Sequence, residues 1–175
     1  RESLSSINGH LERISRIVRS LGDFARVSTA SKVVSDIREI FNRTTELVKY
    51  DKRFRKIRYQ AEFEAIPPLL VNPDQIEQVF INLMRNAVEA SGEQGGVRVR
   101  WHGERGAVVV EVEDDGPGIA RTDNLWVPFF TTKPHGTGIG LVLSREIVEN
   151  HGGSISLENR VGAKGCVASV RLPLG

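Results

Sequence analysis

Two glycine-rich stretches, separated by a short gap, contain the residue types that could bind a phosphate-containing ligand. The first is DDGPGI at residues 114–119, and the second is GTGIGL at residues 136–141. Glycine lets backbone N–H groups approach phosphate oxygens closely, and the N-terminus of a helix adds partial positive charge. Because the second stretch runs into the apolar, helix-periodic segment 141–148, the pattern predicts a phosphate pocket.

A predicted helix beside this pocket carries a stripe of amides. Asn72 as N-cap and Pro73 at the first helical position predict a helix that runs to about Ala90. One face is apolar, and the other face carries Gln78, Asn82, Asn86 and Glu89. Asn is a poor helix former, so two asparagines in mid-helix require a reason. Spacing alone does not decide whether these two asparagines have a functional role or simply form a solvated helix surface.

The elements that must position these residues are three helices and about five longer strands. The longer strands are predicted at about 57–63, 97–102, 107–114, 154–159 and 166–172, with a short strand at 69–71. The helices are predicted from about Ser35, from Pro73 and from Gly140 to Asn150. Since most strands are connected by hairpins, we expect an α+β fold, a two-layer sandwich with a mixed, mostly antiparallel sheet.

The first 27 residues predict a separate amphipathic helix. Apolar residues alternate spacings of three and four, as in a coiled coil or helical bundle: Leu4, Ile7, Leu11, Ile14, Val18, Leu21 and Ala25. Such a helix cannot bury its stripe alone, so we expect a homodimer through it. The predicted organisation is a bundle helix at 1–27, a linker at 28–34 and a globular domain at 35–175.

Composition narrows the classes of function. The net charge is +2, from 24 basic and 22 acidic residues, which gives no case for nucleic acid or for an anionic membrane. No apolar run is long enough to cross a bilayer, so we expect no membrane contact within these residues. The single cysteine, Cys166, fits a reducing, cytoplasmic compartment. The chain begins at Arg1 without Met, so we expect a fragment, which leaves open a membrane-anchored parent.

Four segments together resemble a known family. In order they are residues 74–90, 114–119, 128–133 (PFFTTK) and 136–141. This set resembles the N, G1, F and G2 boxes of the ATP-binding catalytic domain of two-component sensor histidine kinases, and the resemblance covers roughly residues 33–173. It implies a Bergerat ATP-binding fold. The short gap between Phe130 and Gly136 resembles the short-lid, nitrogen-regulation-like type, and the first helix resembles the second helix of the dimerisation and phosphotransfer bundle.

The resemblance implies ATP or ADP and Mg²⁺ as ligands and gives roles to individual residues. Asn86 would offer its amide oxygen to Mg²⁺, and Asp114 would accept a hydrogen bond from the adenine amino group. Lys133 would approach the terminal phosphate, so that Asn86 and Lys133 are the implied catalytic residues. The other implied nucleotide contacts are Asn82, Glu89, Gly116, Gly118, Ile119, Thr132, Gly136, Thr137, Gly138, Gly140 and Leu141. Phe129 and Phe130 are expected to anchor the lid hinge in the core.

One position separates kinase chemistry from hydrolysis. Hydrolytic relatives resemble this pattern but carry Glu one helical turn before the metal asparagine, whereas this chain has Asn82, which cannot accept a proton. The resemblance therefore implies transfer of the γ-phosphoryl group to a histidine, with a response regulator as a further partner. The alternatives are a nucleotide-gated interaction module and, less favoured by Asn82, a hydrolytic ATPase.

The phosphoacceptor motif of that family is missing from the chain. His10 lies on the first predicted helix but is followed by Leu11-Glu12-Arg13, which does not match the family's H box. We therefore expect the acceptor on the bundle of the parent protein. The chain itself is expected to bind nucleotide without autophosphorylation. His151 is interpreted as a helix C-terminal residue favoured by the helix dipole.

Overall fold

A computed structural model describes residue 22 and residues 31–54, 58–93, 95–120, 123–133 and 136–174. The strands in these ranges are β1 (Val33–Ser35), β2 (Arg58–Phe63), β3 (Leu69–Val71), β4 (Gly96–Glu104), β5 (Ala107–Asp114), β6 (Ser154–Asn159) and β7 (Cys166–Pro173). The α-helices are α1 (Ile37–Lys49), α2 (Pro73–Ser91) and α3 (Gly140–Asn150), with a short 3-10 helix at Asp123–Trp126. Apart from Gly22, which is helical, the predicted first helix lies outside the described residues, as do its dimer contact and His10.

The sheet and the helices form two layers. The main sheet has the strand order β2-β4-β5-β7-β6, in which β2 pairs with β4 in parallel and all other neighbours are antiparallel. Helix α2 packs between α1 and α3 and lies against β4 and β5, while α3 lies against β6 and β7. Strands β1 and β3 form a separate antiparallel pair. The predicted α+β sandwich with a mixed, mostly antiparallel sheet is confirmed.

An aromatic cluster fixes helices α1 and α2 on the sheet. The Phe41 ring meets Phe80 and Trp101 edge-on, with centroids 5.8 and 5.5 Å apart, and Phe63 stacks on Trp101 at 3.5 Å. Burial of such rings contributes a large apolar area and a defined geometry. The apolar face of α2 is thereby held in the core, which leaves its amide stripe on the opposite side.

Three boundaries differ from the sequence prediction. Helix α1 was predicted from about Ser35 but begins at Ile37, and Asp36 is its cap, because the Asp36 carboxylate accepts the Arg38 N–H at 2.7 Å. The predicted linker at 28–34 extends too far, since β1 begins at Val33 and pairs with β3. The β4–β5 turn consists of Arg105 and Gly106 alone, with φ of 47° and 74°, which is the backbone of a tight two-residue hairpin.

The ring of His151 joins the end of α3 to the start of α2. Its Nε2 accepts the Asn72 N–H at 2.9 Å, so its Nδ1 carries the proton and donates to the Ile147 carbonyl at 2.7 Å. Burial lowers the pKa of His151 below its ordinary value. The interpretation as a residue favoured by the helix dipole, which requires a cation, is therefore wrong. The neutral ring acts as a structural bridge.

Candidate functional site

The polar stripe of α2 faces the lid and the start of α3. The cap at Asn72, whose side chain accepts the Gln75 N–H at 2.9 Å, sets the start of the helix, and burial of its apolar face turns the polar stripe outward. Asn82 donates from Nδ2 to the Ser144 hydroxyl at 2.9 Å. A Cβ at Gly140 would overlap the Asn82 Oδ1. Asn82 therefore joins α2 to the glycine at the N-terminus of α3, and its amide cannot serve as a base.

One turn further along α2, two oxygens share a cation. The Lys133 Nζ lies 2.6 Å from the Asn86 Oδ1 and 2.7 Å from the Glu89 Oε2. Burial alone raises the pKa of Glu89, but the hydrogen bonds and charges of Lys133 and Arg53 outweigh it, so the pKa lies below its ordinary value. Oxygen donors that hold an ammonium ion at this distance also suit a hard cation such as Mg²⁺.

Arg53 is a part of this cluster that the sequence analysis did not find. Its Nη1 donates to the Glu89 Oε1 at 2.9 Å, and its Nη2 donates to Asp51 at 2.6 Å. The Arg53 hydrogen bond also lowers the pKa of Asp51 to about 2. The basic stretch around Arg53 has no motif, so the sequence carries no signal for this contact.

An acidic corner lies at the end of β5. Asp114 is 6% exposed, and its Oδ1 accepts the N–H groups of Gly116 at 2.8 Å and Cys166 at 3.3 Å. Burial raises the pKa of Asp114, and these two hydrogen bonds partly oppose the shift. Both bonds end on Oδ1, so the carboxylate is held in one orientation at the C-terminal end of β5, the central strand of the sheet.

The loop that follows Asp114 approaches its neighbours closely. A Cβ at Gly116 would lie 2.7 Å from the Ala90 carbonyl oxygen, which places this turn directly against the C-terminal end of α2. Gly118 has φ of 84°, a conformation that favours glycine. The backbone of Ile119 is hydrogen-bonded to the side chain of Asn159, a residue that the sequence analysis also missed. The acidic corner and the Asn86 side of α2 therefore flank the same loop.

The second glycine stretch folds back on the PFFTTK segment. The Phe129 N–H donates to the Gly138 carbonyl at 3.0 Å, and the Gly136 N–H donates to the Lys133 carbonyl at 3.1 Å. Gly138 has φ of 68°, and a Cβ there would overlap the Phe129 backbone. Thr132 is exposed, whereas Thr137 and Leu141 are half-buried.

The N-terminus of α3 is the feature of this stretch that suits an anion. Among the described residues, no side chain caps the start of α3, so its first N–H groups keep their partial positive charge unopposed. Gly140, the first residue of the helix, brings this end against Asn82. The loop after the acidic corner, the uncapped N-terminus of α3 and the Lys133 ammonium thus all lie against α2.

The two phenylalanines of the PFFTTK segment behave differently. Phe129 is 56% exposed and has φ of 67°, so the prediction that it anchors the hinge in the core is wrong. Phe130 is partly buried. The turn that brings Phe129 to the Gly138 carbonyl holds its backbone in the left-handed region, and this directs the ring away from the core.

Residues 71–175 match the family described as histidine kinase-, DNA gyrase B-, and HSP90-like ATPase, which is well over half of the chain. The chain belongs to this ATPase family. The expectation that the domain binds ATP is thereby confirmed. Mg²⁺ stays a prediction, and among the described residues no group of three His, Cys, Asp or Glu side chains is arranged to hold a metal ion.

Named relatives narrow the family to histidine kinases. The sensor histidine kinase ZraS of Escherichia coli (strain K12) is 34% identical, over 93% of this chain and 36% of ZraS. The catalytic domain of the histidine kinase ThkA has a TM-score of 0.74 and 32% identity, over 82% of this chain and 95% of that domain. ThkA in complex with the response regulator protein TrrA has a TM-score of 0.82 and 27% identity, over 100% of this chain and 51% of ThkA.

These comparisons confirm that the chain is a catalytic ATPase domain of the histidine kinase type. The chain spans about a third of the length of ZraS, so the comparison covers one domain of a longer relative. Within the described residues, no helix combines the length and the apolar character needed to cross a membrane.

Proposed function

We propose that this domain binds Mg²⁺ and ATP and donates the γ-phosphoryl group to a histidine on the dimerisation bundle of its parent protein. Support for a phosphoryl donor comes from the family match and from the kinase relatives. Support for an external acceptor comes from the chemistry around Asn86, because that chemistry is poor for activating water.

The main support for the proposal is that the side chains beside Asn86 are poor general bases for the activation of water. A general base works best when its pKa lies near the operating pH. The position one turn before Asn86 holds an amide, Asn82, which is bonded to Ser144. Glu89 shares the Lys133 ammonium with Asn86, and its pKa lies below its ordinary value. Neither side chain is suited to take a proton from water, so transfer to an incoming imidazole is favoured over hydrolysis.

The residues present fit the two ligands. Asp114 would accept a hydrogen bond from the adenine amino group. The N–H groups at the start of α3 would face the phosphates, and Asn86 would offer its amide oxygen to Mg²⁺. When bound, Mg²⁺ would neutralise charge on the phosphates. In the present structure the Lys133 ammonium is hydrogen-bonded to the Asn86 oxygen. We propose that it moves to the terminal phosphate when the nucleotide binds. The remaining nucleotide contacts predicted from the sequence stay proposals.

The partners follow from the same proposal. ThkA was solved with the response regulator TrrA, and we propose that the phosphohistidine formed here supplies a response regulator of the same class. We also propose that the parent protein dimerises through the helix predicted at residues 1–27. Because ATP is supplied in the cytoplasm, we propose a cytoplasmic location for the domain.

A transfer assay tests the proposal. The chain is mixed with γ-labelled ATP, Mg²⁺ and a separate helical bundle that carries the acceptor histidine. We expect acid-labile label on the bundle and none on the chain alone. Asn86→Ala should abolish transfer, whereas Asn42→Ala, a control on the exposed side of α1, should not. ATP binding without transfer would instead indicate a nucleotide-gated module. Rapid phosphate release by the chain alone would indicate a hydrolytic ATPase.

A further inference from the structure

The end of the loop at residues 115–120 is held by one side chain, that of Asn159. The Ile119 N–H donates to the Asn159 Oδ1 at 2.7 Å, and the Asn159 Nδ2 donates to the Ile119 carbonyl at 2.9 Å. A primary amide donates and accepts at the same time, so one side chain satisfies both backbone groups of Ile119. The two residues are 40 positions apart in the chain.

This clamp leaves little freedom to the backbone beside it. A Cβ at Gly118 would overlap the Asn159 Oδ1, so the amide packs directly against the Gly118 backbone. Gly118 also has φ of 84°, which an L side chain rarely adopts. Asn159 therefore fixes the path of Gly118 and Ile119, two of the nucleotide contacts that the family resemblance implies.

The turn between β6 and β7 also supports the start of the loop. Arg160 donates from Nη1 to the Asp115 Oδ1 at 2.7 Å and to the Asp114 carbonyl at 3.3 Å. A Cβ at Gly165 would overlap that same carbonyl oxygen. Cys166 donates its N–H to the Asp114 side chain. One turn thus holds the adenine-binding loop at both ends, through Asp114 at its start and through Asn159 at its end.

We propose that Asn159 is a positioning residue for adenine recognition. It acts through Ile119 and Gly118, whose backbone it holds at a fixed distance from Asp114, so that a purine with its amino group at C6, as in adenine, fits between them, whereas guanine carries a carbonyl oxygen at C6. This inference rests on the proposed binding of ATP at Asp114. It adds a residue outside the glycine motifs, one that sets the affinity and the base selectivity of the site.

The position of Asn159 allows this role to be separated from a role in folding. Its side chain is exposed, and it is the last residue of β6, which is an edge strand of the sheet. Removal of the amide therefore leaves the buried core intact. A residue that served only the fold would change the thermal midpoint and leave the preference for adenine over guanine unchanged.

The experiment uses the full 175-residue chain with Asn159→Ala and Asn159→Asp. The aspartate keeps an acceptor for the Ile119 N–H but faces the Ile119 carbonyl with a second acceptor, so it should behave like alanine. Asn150→Ala is the matched control, because Asn150 is also an exposed asparagine and lies at the far end of α3. The measurements are calorimetric Kd values for ATP and GTP, thermal midpoints, and hydrogen exchange of the peptide 115–120.

We expect both Asn159 variants to bind ATP about tenfold more weakly, because a loop that is no longer held must be ordered when the base binds, with little change for GTP. Exchange at 115–120 should rise without nucleotide, while the thermal midpoint stays within about 2 °C of the Asn150→Ala control. Unchanged ATP affinity, or equal losses for ATP and GTP accompanied by a lower midpoint, would overturn the inference. If the parent chain itself binds no ATP, the proposed function fails as well. If the parent binds and transfers normally while Asn159→Ala matches it, the positioning role alone fails.

Discussion

Asp114→Asn should separate nucleotide binding from stability. The substitution keeps the shape of the side chain and an oxygen that can accept the N–H groups of Gly116 and Cys166. With that oxygen in place, the second position becomes an NH₂ group. The NH₂ group of the variant side chain and the adenine amino group, both hydrogen-bond donors, then face each other where the carboxylate would have accepted a hydrogen bond.

The magnitude follows from the hydrogen bond that is lost. A hydrogen bond to a charged group contributes about 1.5–3 kcal/mol, and an unsatisfied donor in its place costs about 1 kcal/mol more. The sum predicts ATP binding that is roughly 50- to 1000-fold weaker.

Although ATP binding should weaken in Asp114→Asn, the thermal stability of the variant should stay the same or increase. Burial raises the pKa of Asp114, so the ionised side chain contributes unfavourably to folding at neutral pH, and this effect fades as the pH falls through the raised pKa. The amide side chain of the Asp114→Asn variant has no charge to bury, so the thermal midpoint of this variant should equal or exceed that of the parent.

Calorimetry with Mg²⁺ and ATP, together with thermal unfolding at neutral pH, measures both quantities. Asp74→Asn is the matched control, because the Asp74 side chain is 89% exposed at the start of α2, and its ion pair with Arg43 at 4.0 Å is of the weakly stabilising surface kind. It should change ATP affinity by less than about fivefold. The assignment of Asp114 to adenine is refuted if its variant binds ATP like the parent. A joint loss of binding and of thermal midpoint would instead assign Asp114 a structural role.

Two further predictions concern Lys133 and His151. Lys133→Met removes the ammonium from the proposed phosphate contact, but it also removes it from its contact with Glu89 in the free protein. Because the ammonium loses a contact in both states, ATP affinity should fall by only about tenfold, and ADP affinity by less. Equal weakening of ATP and ADP binding in calorimetry would argue against a contact with the terminal phosphate. The pKa of His151 is lowered from 6.5, so the stability that its neutral ring contributes is present above that value and is lost as the pH falls. The fall in thermal midpoint from about pH 7.5 to about pH 5.5 should therefore be smaller in His151→Asn than in a His102→Asn control, and equal falls would show that the His151 ring is not responsible.

Local patterns in the sequence predicted most of the elements. Apolar residues that recur with the period of a helix or a strand define both the element and its buried face, because side-chain directions repeat along the backbone. This is why α2 was predicted with its cap at Asn72 and with Asn82 and Asn86 on the side away from the core. The same logic explains the errors at Ser35 and at the 28–34 linker, since a three-residue strand such as β1 has too few residues to show a period.

The contacts between distant segments needed the tertiary structure. Lys133 meets Asn86 across 47 positions, and Arg53 meets Glu89 across 36. Both pairings depend on how the lid and the α1–β2 connection lie over α2, which no local period encodes. The exposure of Phe129 and the neutral state of His151 likewise depend on partners elsewhere in the chain.

The sequence by itself determined the family, the order of the longer elements and the two glycine-rich stretches, because short motifs and periodic burial are properties of neighbouring residues. The tertiary structure alone decided which side chains hold those motifs in place. Asn159 reaches Ile119 because β6 and β7 pair in one particular register beside β5. Hydrogen bonds of this kind form only when the strands have assembled, so their partners are a property of the folded sheet.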